Sequence, residues 1–103
     1  MARTARIERT GGPEVIGWAD IDLPPPGPGE VRMRNTAIGL NFIDTYFRSG
    51  LYPTALPSGL GSEAAGVIEA VGEGVSGFAP GDRVATFGPA LGAYATARNV
   101  AAA

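Results

Sequence analysis

Glycine and proline punctuate this chain so heavily that long regular elements have little room: 16 Gly and 9 Pro are spread through 103 residues. Glycine admits backbone conformations other residues avoid, and proline withholds a backbone donor while fixing one dihedral angle. Many short strands joined by tight turns suit that punctuation better than a helix bundle does. The Gly and Pro content approaches that of low-complexity chains. Leu, Ile, Val and Phe nonetheless supply 23 residues and the net charge is only −2, which puts the chain on the folded side of that boundary. Its length allows one domain with a modest core.

The missing residue types exclude whole chemistries. There is no Cys, His or Lys, and all eight basic residues are Arg. Disulfides, zinc knuckles, thiol nucleophiles, imidazole bases, P-loop lysines and Schiff bases are therefore outside this chain's repertoire. Without a basic run there is no electrostatic footprint for nucleic acid. No apolar stretch reaches membrane-spanning length, and Met1 to Thr10 lacks a signal-peptide core. A cytoplasmic location is the expectation.

Along the chain, residues 2–9 read as an edge or half-solvated strand, and Val15 to Ile21 as a second one. Pro24, Pro25, Pro26 and Pro28 make a stiff, extended surface connection; without a basic flank, its use as a peptide ligand is the weaker reading. Val31, Met33 and Ala37 alternate with Arg32, Arg34 and Thr36, the period of a half-buried strand. Asn41 to Ser49 spaces Phe42 from Tyr46, and Ile43 from Phe47, by four, which predicts a short helix stopped by Gly50. Leu51 to Gly61 reads as loop. Ala64 to Val71 reads as a buried strand with a bulge or close backbone approach at Gly66. Arg83 to Phe87 and Leu91 to Ala97 read as further strands. Five to seven strands with one short helix make a small barrel or sandwich.

Gly72-Glu73-Gly74-Val75-Ser76-Gly77 matches a dinucleotide-binding pattern. That pattern binds a pyrophosphate only where a helix starts, and Pro80-Gly81 forbids one here. These glycines are read as turn positions.

Polar and aromatic side chains gather at the expected helix: Asn41, Asp44, Tyr46, Arg48 and then Tyr52. A structural account is available for three of them. Asn41 can cap the helix, and Asp44 in its first turn can pair with Arg48 four residues on. Tyr46 and Tyr52 fit that account less well, since both carry a phenol beside a loop. Glu63 is either a buried carboxylate with a partner, for which Arg83 is available, or a solvent contact at a strand edge.

At these residues the chain resembles a known family. The segments AIGLNFIDTYFRSGLYP (37–53), LPSGLGSEAAGVIEAVGEGV (56–75), APGDRV (79–84) and ALGAYA (90–95) are similar to the zinc-independent NADPH:quinone oxidoreductases. These are zeta-crystallin-like members of the medium-chain dehydrogenase/reductase superfamily. The likeness runs from about residue 3 to 100. GLNFIDTY with LPSGLGSEAAG belongs to the quinone-reductase branch, whereas VGEGVSGFAPGDRV is shared across the superfamily.

The resemblance implies a mainly β fold with one or two short helices, a GroES-like barrel forming the N-terminal portion of a catalytic domain over 1–103. The Rossmann domain that binds NADPH, and most contacts of the family homodimer, would lie outside this chain. Asn41 stands where zinc-dependent relatives keep a ligand Cys, and Ser62 where they keep a ligand His, so no metal is expected. The resemblance implies catalytic roles for Tyr52 and Asn41, quinone contacts for Tyr46, Tyr52 and Asp44, and cofactor contacts for Asn41 and Ser62. Neutral donors such as the Tyr and Asn side chains would stabilise charge on the quinone oxygens. The chain alone is expected neither to bind NADPH tightly nor to reduce quinones. An enal or enone reductase on the same scaffold, or a non-catalytic binding module, are the rival readings.

Overall fold

The computed structural model describes residues 2–102; Met1 and Ala103 lie outside it. The fold is mostly β. Strands β1 (Ala2–Ile7), β2 (Ile16–Ile21), β3 (Glu30–Ile38), β4 (Ser58–Gly59), β5 (Glu63–Val71), β6 (Arg83–Phe87) and β7 (Ala97–Ala101) are joined by one α-helix, α1 (Phe42–Ser49). A 3₁₀ turn at Pro13–Val15 leads into β2. The strands form two sheets, ordered β2-β1-β4 and β6-β5-β3-β7, with every strand pair antiparallel.

Most expected strands appear where their composition places them, and the departures have physical causes. Val31 and Met33 are buried as the alternation predicts, but Ala37 is exposed. Between Asn35 and Ala37 the register against β5 slips, with Asn35 opposite Gly66 and Ala37 opposite Ala65. The extra residue, Thr36, turns the following side chains to the other face. Gly66 is required at this slip, because a Cβ there would come within 2.0 Å of the Arg34 carbonyl oxygen.

The strand expected over Leu91 to Ala97 is not formed. Only an isolated bridge, Thr4 to Ala95, lies in that stretch, and the last strand begins at Ala97. The segment is extended, but its partners change along its length. Tyr94 N–H donates to the Leu60 carbonyl (2.9 Å), Thr96 N–H to Arg3 (2.8 Å), and Ala5 N–H to Tyr94 (2.8 Å). Asn35 Nδ2 donates to the carbonyls of Ala93 (3.1 Å) and Ala95 (2.9 Å). This strip stitches the two sheets together instead of extending either one. The two-residue β4, which pairs with the end of β1, lies inside the expected 51–61 loop.

The proline run is tied down by side chains, as a segment short of N–H groups must be. Arg32 Nη2 donates to the carbonyls of Leu23 (2.9 Å) and Pro24 (2.6 Å), and Asn99 Nδ2 to Pro24 (2.9 Å). Gly74 and Gly77 of the decoy pattern take positive φ in turns, and no helix follows them among the described residues.

Two small apolar clusters hold the fold. Ile7, Val15 and Leu60 are buried with Ile16, Phe47 and Tyr94 against them; Met33, Ala64 and Ala93 are buried with Val84 and Val100 against them. Each fully buried large side chain among these contributes on the order of 1.5–3 kcal/mol. Phe47 fastens α1 to the first cluster. The C-terminus of the helix is pinned separately, Gly11 N–H donating to the Arg48 carbonyl (2.9 Å) and Arg48 Nε to the Gly11 carbonyl (3.1 Å). Gly50, at φ 90°, closes the helix in the left-handed conformation.

Candidate active site

Asn41 enters α1 in extended conformation (φ −121°, ψ 150°), and the first turn closes on it reciprocally. Asn41 N–H donates to Asp44 Oδ2 (3.1 Å), and Asp44 N–H to the Asn41 carbonyl (3.0 Å). A carboxylate in the first turn also suits the helix dipole. The pair expected between Asp44 and Arg48 does not form. Arg48 is spent on Gly11, while Asp44 is 4% exposed and points inward.

The partner of Asp44 is Tyr94, whose hydroxyl donates to Oδ2 in a short hydrogen bond. Burial pushes the pKa of the Tyr94 phenol well above its usual value, and the Asp44 carboxylate adds to that by holding the proton and repelling a phenolate. The Tyr94 ring lies over Gly61, where a Cβ would come within 2.5 Å of Cδ1. Asp44 Oδ1 is buried with no hydrogen-bond partner.

The Asn41 side chain completes the capping box with the Asp44 backbone and also reaches β5. Its Nδ2 donates to Glu63 Oε2 at 2.8 Å. Arg83 is not the partner of Glu63: it is exposed, and the described residues hold one ion pair, Arg34 with Glu69 (3.5 Å). Glu63 opens β5 opposite Phe87 of β6. Its carboxyl lies across Gly39, where a Cβ would meet Oε1 at 2.2 Å. Glu63 also lines an open, largely apolar cleft of about 470 Å³ with Ile38, Gly39, Ala64, Thr86 and Phe87. Next to it, Ser62 is 7% exposed and its Oγ has no partner.

Tyr46 and Tyr52 belong to an aromatic cluster further along α1. Their rings meet edge-on with centroids 5.2 Å apart, and Phe42 and Phe47 each stand 5.8 Å from one of them. Tyr52 N–H donates to the Tyr46 carbonyl (3.1 Å), which folds the loop back on the helix. The expected residues thus fall into two groups carried by one helix. Asn41 and Asp44 form a hydrogen-bonded set with Glu63 and Tyr94, and Tyr46 and Tyr52 form an aromatic pair. Ser62 adjoins the first group in sequence but bonds to none of these side chains.

Sequence reasoning did not find Tyr94 as the partner of Asp44, 50 positions away, nor Phe87 as a wall of the cleft. A signal for Tyr94 exists in retrospect: it is the one large residue in Ala90–Ala95 besides Leu91, and small neighbours let a ring turn inward.

Residues 27–102 match the alcohol dehydrogenase GroES-like domain. The chain is 60% identical over 95 residues to a quinone oxidoreductase of Pseudomonas aeruginosa, an alignment covering 91% of this chain and 29% of that protein. It is 48% identical over 102 residues to a 2-haloacrylate reductase of a Burkholderia species, covering 95% and 31% respectively. Its fold superposes on the crystal structure of Escherichia coli quinone oxidoreductase complexed with NADPH with a TM-score of 0.94 at 48% identity, over 97% of this chain and 31% of that one. The chain therefore spans about a third of the length of these relatives.

Proposed function

The chain belongs to the alcohol dehydrogenase GroES-like domain family, and from that premise we propose that it forms the substrate-side wall of an NADPH-dependent quinone oxidoreductase that works without a metal. The observation that carries this reading is the juxtaposition at the start of α1. A neutral amide, Asn41, sits beside a mostly apolar cleft, hydrogen-bonded through Glu63 to its rim. Zinc-dependent chemistry would need Cys or His there, and the chain has neither.

The residues present fit the nicotinamide end of NADPH. Ser62 Oγ is buried and unpartnered, and Asn41 is hydrogen-bonded to the adjoining Glu63; a hydroxyl and a neutral amide suit a neutral carboxamide, and in this reading they orient it. Bound there, NADPH supplies a hydride. Tyr52 and Tyr46 donate hydrogen bonds to the quinone oxygens, where negative charge develops. The apolar walls of the cleft, Phe87 among them, exclude water from a flat, uncharged ring. Asp44 is buried and its Oδ2 is taken by Asn41 N–H and the Tyr94 hydroxyl, so in this reading it serves the site by holding the head of α1.

None of these site residues carries a cation for the phosphates. Calorimetric titration of NADPH onto this chain alone is therefore expected to give no micromolar binding, and micromolar affinity would overturn that part of the reading. The function itself is tested by grafting the chain in place of the equivalent third of the Escherichia coli relative. The graft should reduce quinones with NADPH, and Tyr52→Phe should lower kcat/KM by up to about 10²-fold. An unchanged kcat/KM removes Tyr52 from the scheme. The likeness to a 2-haloacrylate reductase favours one second reading, an enone-type reductase. Turnover of 2-haloacrylates or enones, with quinones ignored, would select it; a graft inert towards both would favour a non-catalytic module.

A further inference from the structure

The geometry points to Glu63 as a positioning residue: its carboxylate holds the Asn41 amide with the nitrogen turned to the head of β5 and the oxygen, an acceptor, turned away from it. A primary amide carries a donor at one end and an acceptor at the other, and its partners decide between the two orientations. An ionised carboxylate only accepts. With Asn41 Nδ2 2.8 Å from Glu63 Oε2, the reverse orientation would set two oxygens against each other. The contact therefore selects one state, and the charge on Glu63 makes it stronger than an amide–amide contact would be.

Both partners are held. Asn41 is fixed through its backbone, whose N–H donates to Asp44, itself held by Tyr94. Glu63 is fixed by its place opposite Phe87 and by Gly39, whose N–H donates to the Glu63 carbonyl (3.3 Å) and whose missing Cβ leaves the space the carboxyl fills. Arg83 takes none of the Glu63 charge, being exposed and outside the one ion pair of the described residues. Asn41 Oδ1 faces the Asp44 backbone N–H in the capping box of α1, and its second lone pair is left to accept from a ligand. The ligand class this selects is a primary carboxamide, which brings N–H donors; that assignment rests on the nicotinamide reading above, whereas the orientation of Asn41 does not.

The test uses the side-chain amide signals of Asn41 in the 103-residue chain, followed by nuclear magnetic resonance. Lowering the pH until carboxylates protonate should move these signals in the wild type. In Glu63→Gln that side-chain response should disappear, leaving the backbone response carried by Asp44, with Tyr94 as its partner. Gly39→Ala keeps the charge of Glu63 but pushes its carboxyl aside, and should remove the same response. If the Asn41 side-chain signals titrate identically in the wild type and both variants, Glu63 does not position Asn41.

In a second arm, nicotinamide should perturb the Asn41 signals of the wild type, and N,N-dimethylnicotinamide, which has no N–H donor, should not. Equal perturbation by both overturns the acceptor role. Perturbation by neither, with the pH response intact, sustains the orientation set by Glu63 and overturns the nicotinamide reading.

Discussion

At the scale of single residues, the site depends on pairs that are distant in sequence. Asp44 illustrates this: the i+4 arginine was its obvious partner, yet the fold gives it Tyr94 and sends Arg48 to a backbone carbonyl. Local spacing made the helix and its first-turn acid legible, because those depend on neighbours three and four residues apart. It could not reveal a bond across 50 positions. Tyr94→Phe should cost about 1–3 kcal/mol in a urea titration, since it strips one donor from a buried carboxylate. The acidity of Tyr94 gives that bond a pH signature. Its folded-state value lies above the unfolded one, near 10, so its contribution is complete below that pH and is lost as the pH rises through the folded value. Wild-type stability should therefore fall more steeply above pH 10 than that of Tyr94→Phe; parallel curves would mean the bond contributes nothing. Glu63 reads from sequence as either a buried carboxylate with a partner, such as Arg83, or a solvent contact at a strand edge; it is half-buried and its partner is a neutral amide.

Among the elements, those bounded by Gly or Pro were the most readable. Arg83–Phe87 stands between Gly81 and Gly88 and forms a strand with those limits. Gly66 was read as a bulge or close approach, and a carbonyl fills the space where its side chain would be. Gly66→Ala should consequently destabilise the fold by about 1–3 kcal/mol, the range for overpacking, measured as a lower urea midpoint with an unchanged slope. A wild-type midpoint would mean that β3 and β5 can separate there without cost. The stretch from Leu91 was misread because an extended conformation does not by itself reveal a constant partner. Its hydrogen bonds go in turn to β1, to Leu60 and to the Asn35 side chain, and no alternation of residue type encodes that. β7, with the sequence ARNVA, carries no clear pattern of its own and takes its register from β3.

Across the whole molecule, large apolar side chains remain at the surface around the candidate site. Leu40, Phe42 and Phe87 are 84%, 78% and 81% exposed. Apolar surface on this scale favours association and dye binding. Replacing Leu40 and Phe87 by Ser should leave the urea midpoint within about 0.5 kcal/mol of wild type in stability, while lowering the binding of a hydrophobic fluorescent dye. Undiminished dye binding would place the sticky surface elsewhere. No helix of the described residues is long and apolar enough to cross a membrane. The barrel-or-sandwich expectation was sound at this scale because it followed from punctuation, which every part of the chain shares; the division into two sheets was not legible, because it depends on the strip that joins them.

That strip also sets the order in which the molecule can come together during synthesis. Residues 92–96 close β1 onto β3 and carry the hydroxyl that steadies the head of α1, yet Thr96 is made 93 residues after the Arg3 it bonds to. Until they leave the ribosome, β1 and β3 are not joined and the head of α1 lacks the Tyr94 hydroxyl. Contacts this far apart in sequence must pay the entropy of closing a long loop before they return anything. A nascent chain halted before Tyr94 would thus expose Asp44 to water and leave Asn41 with only one of its two supports.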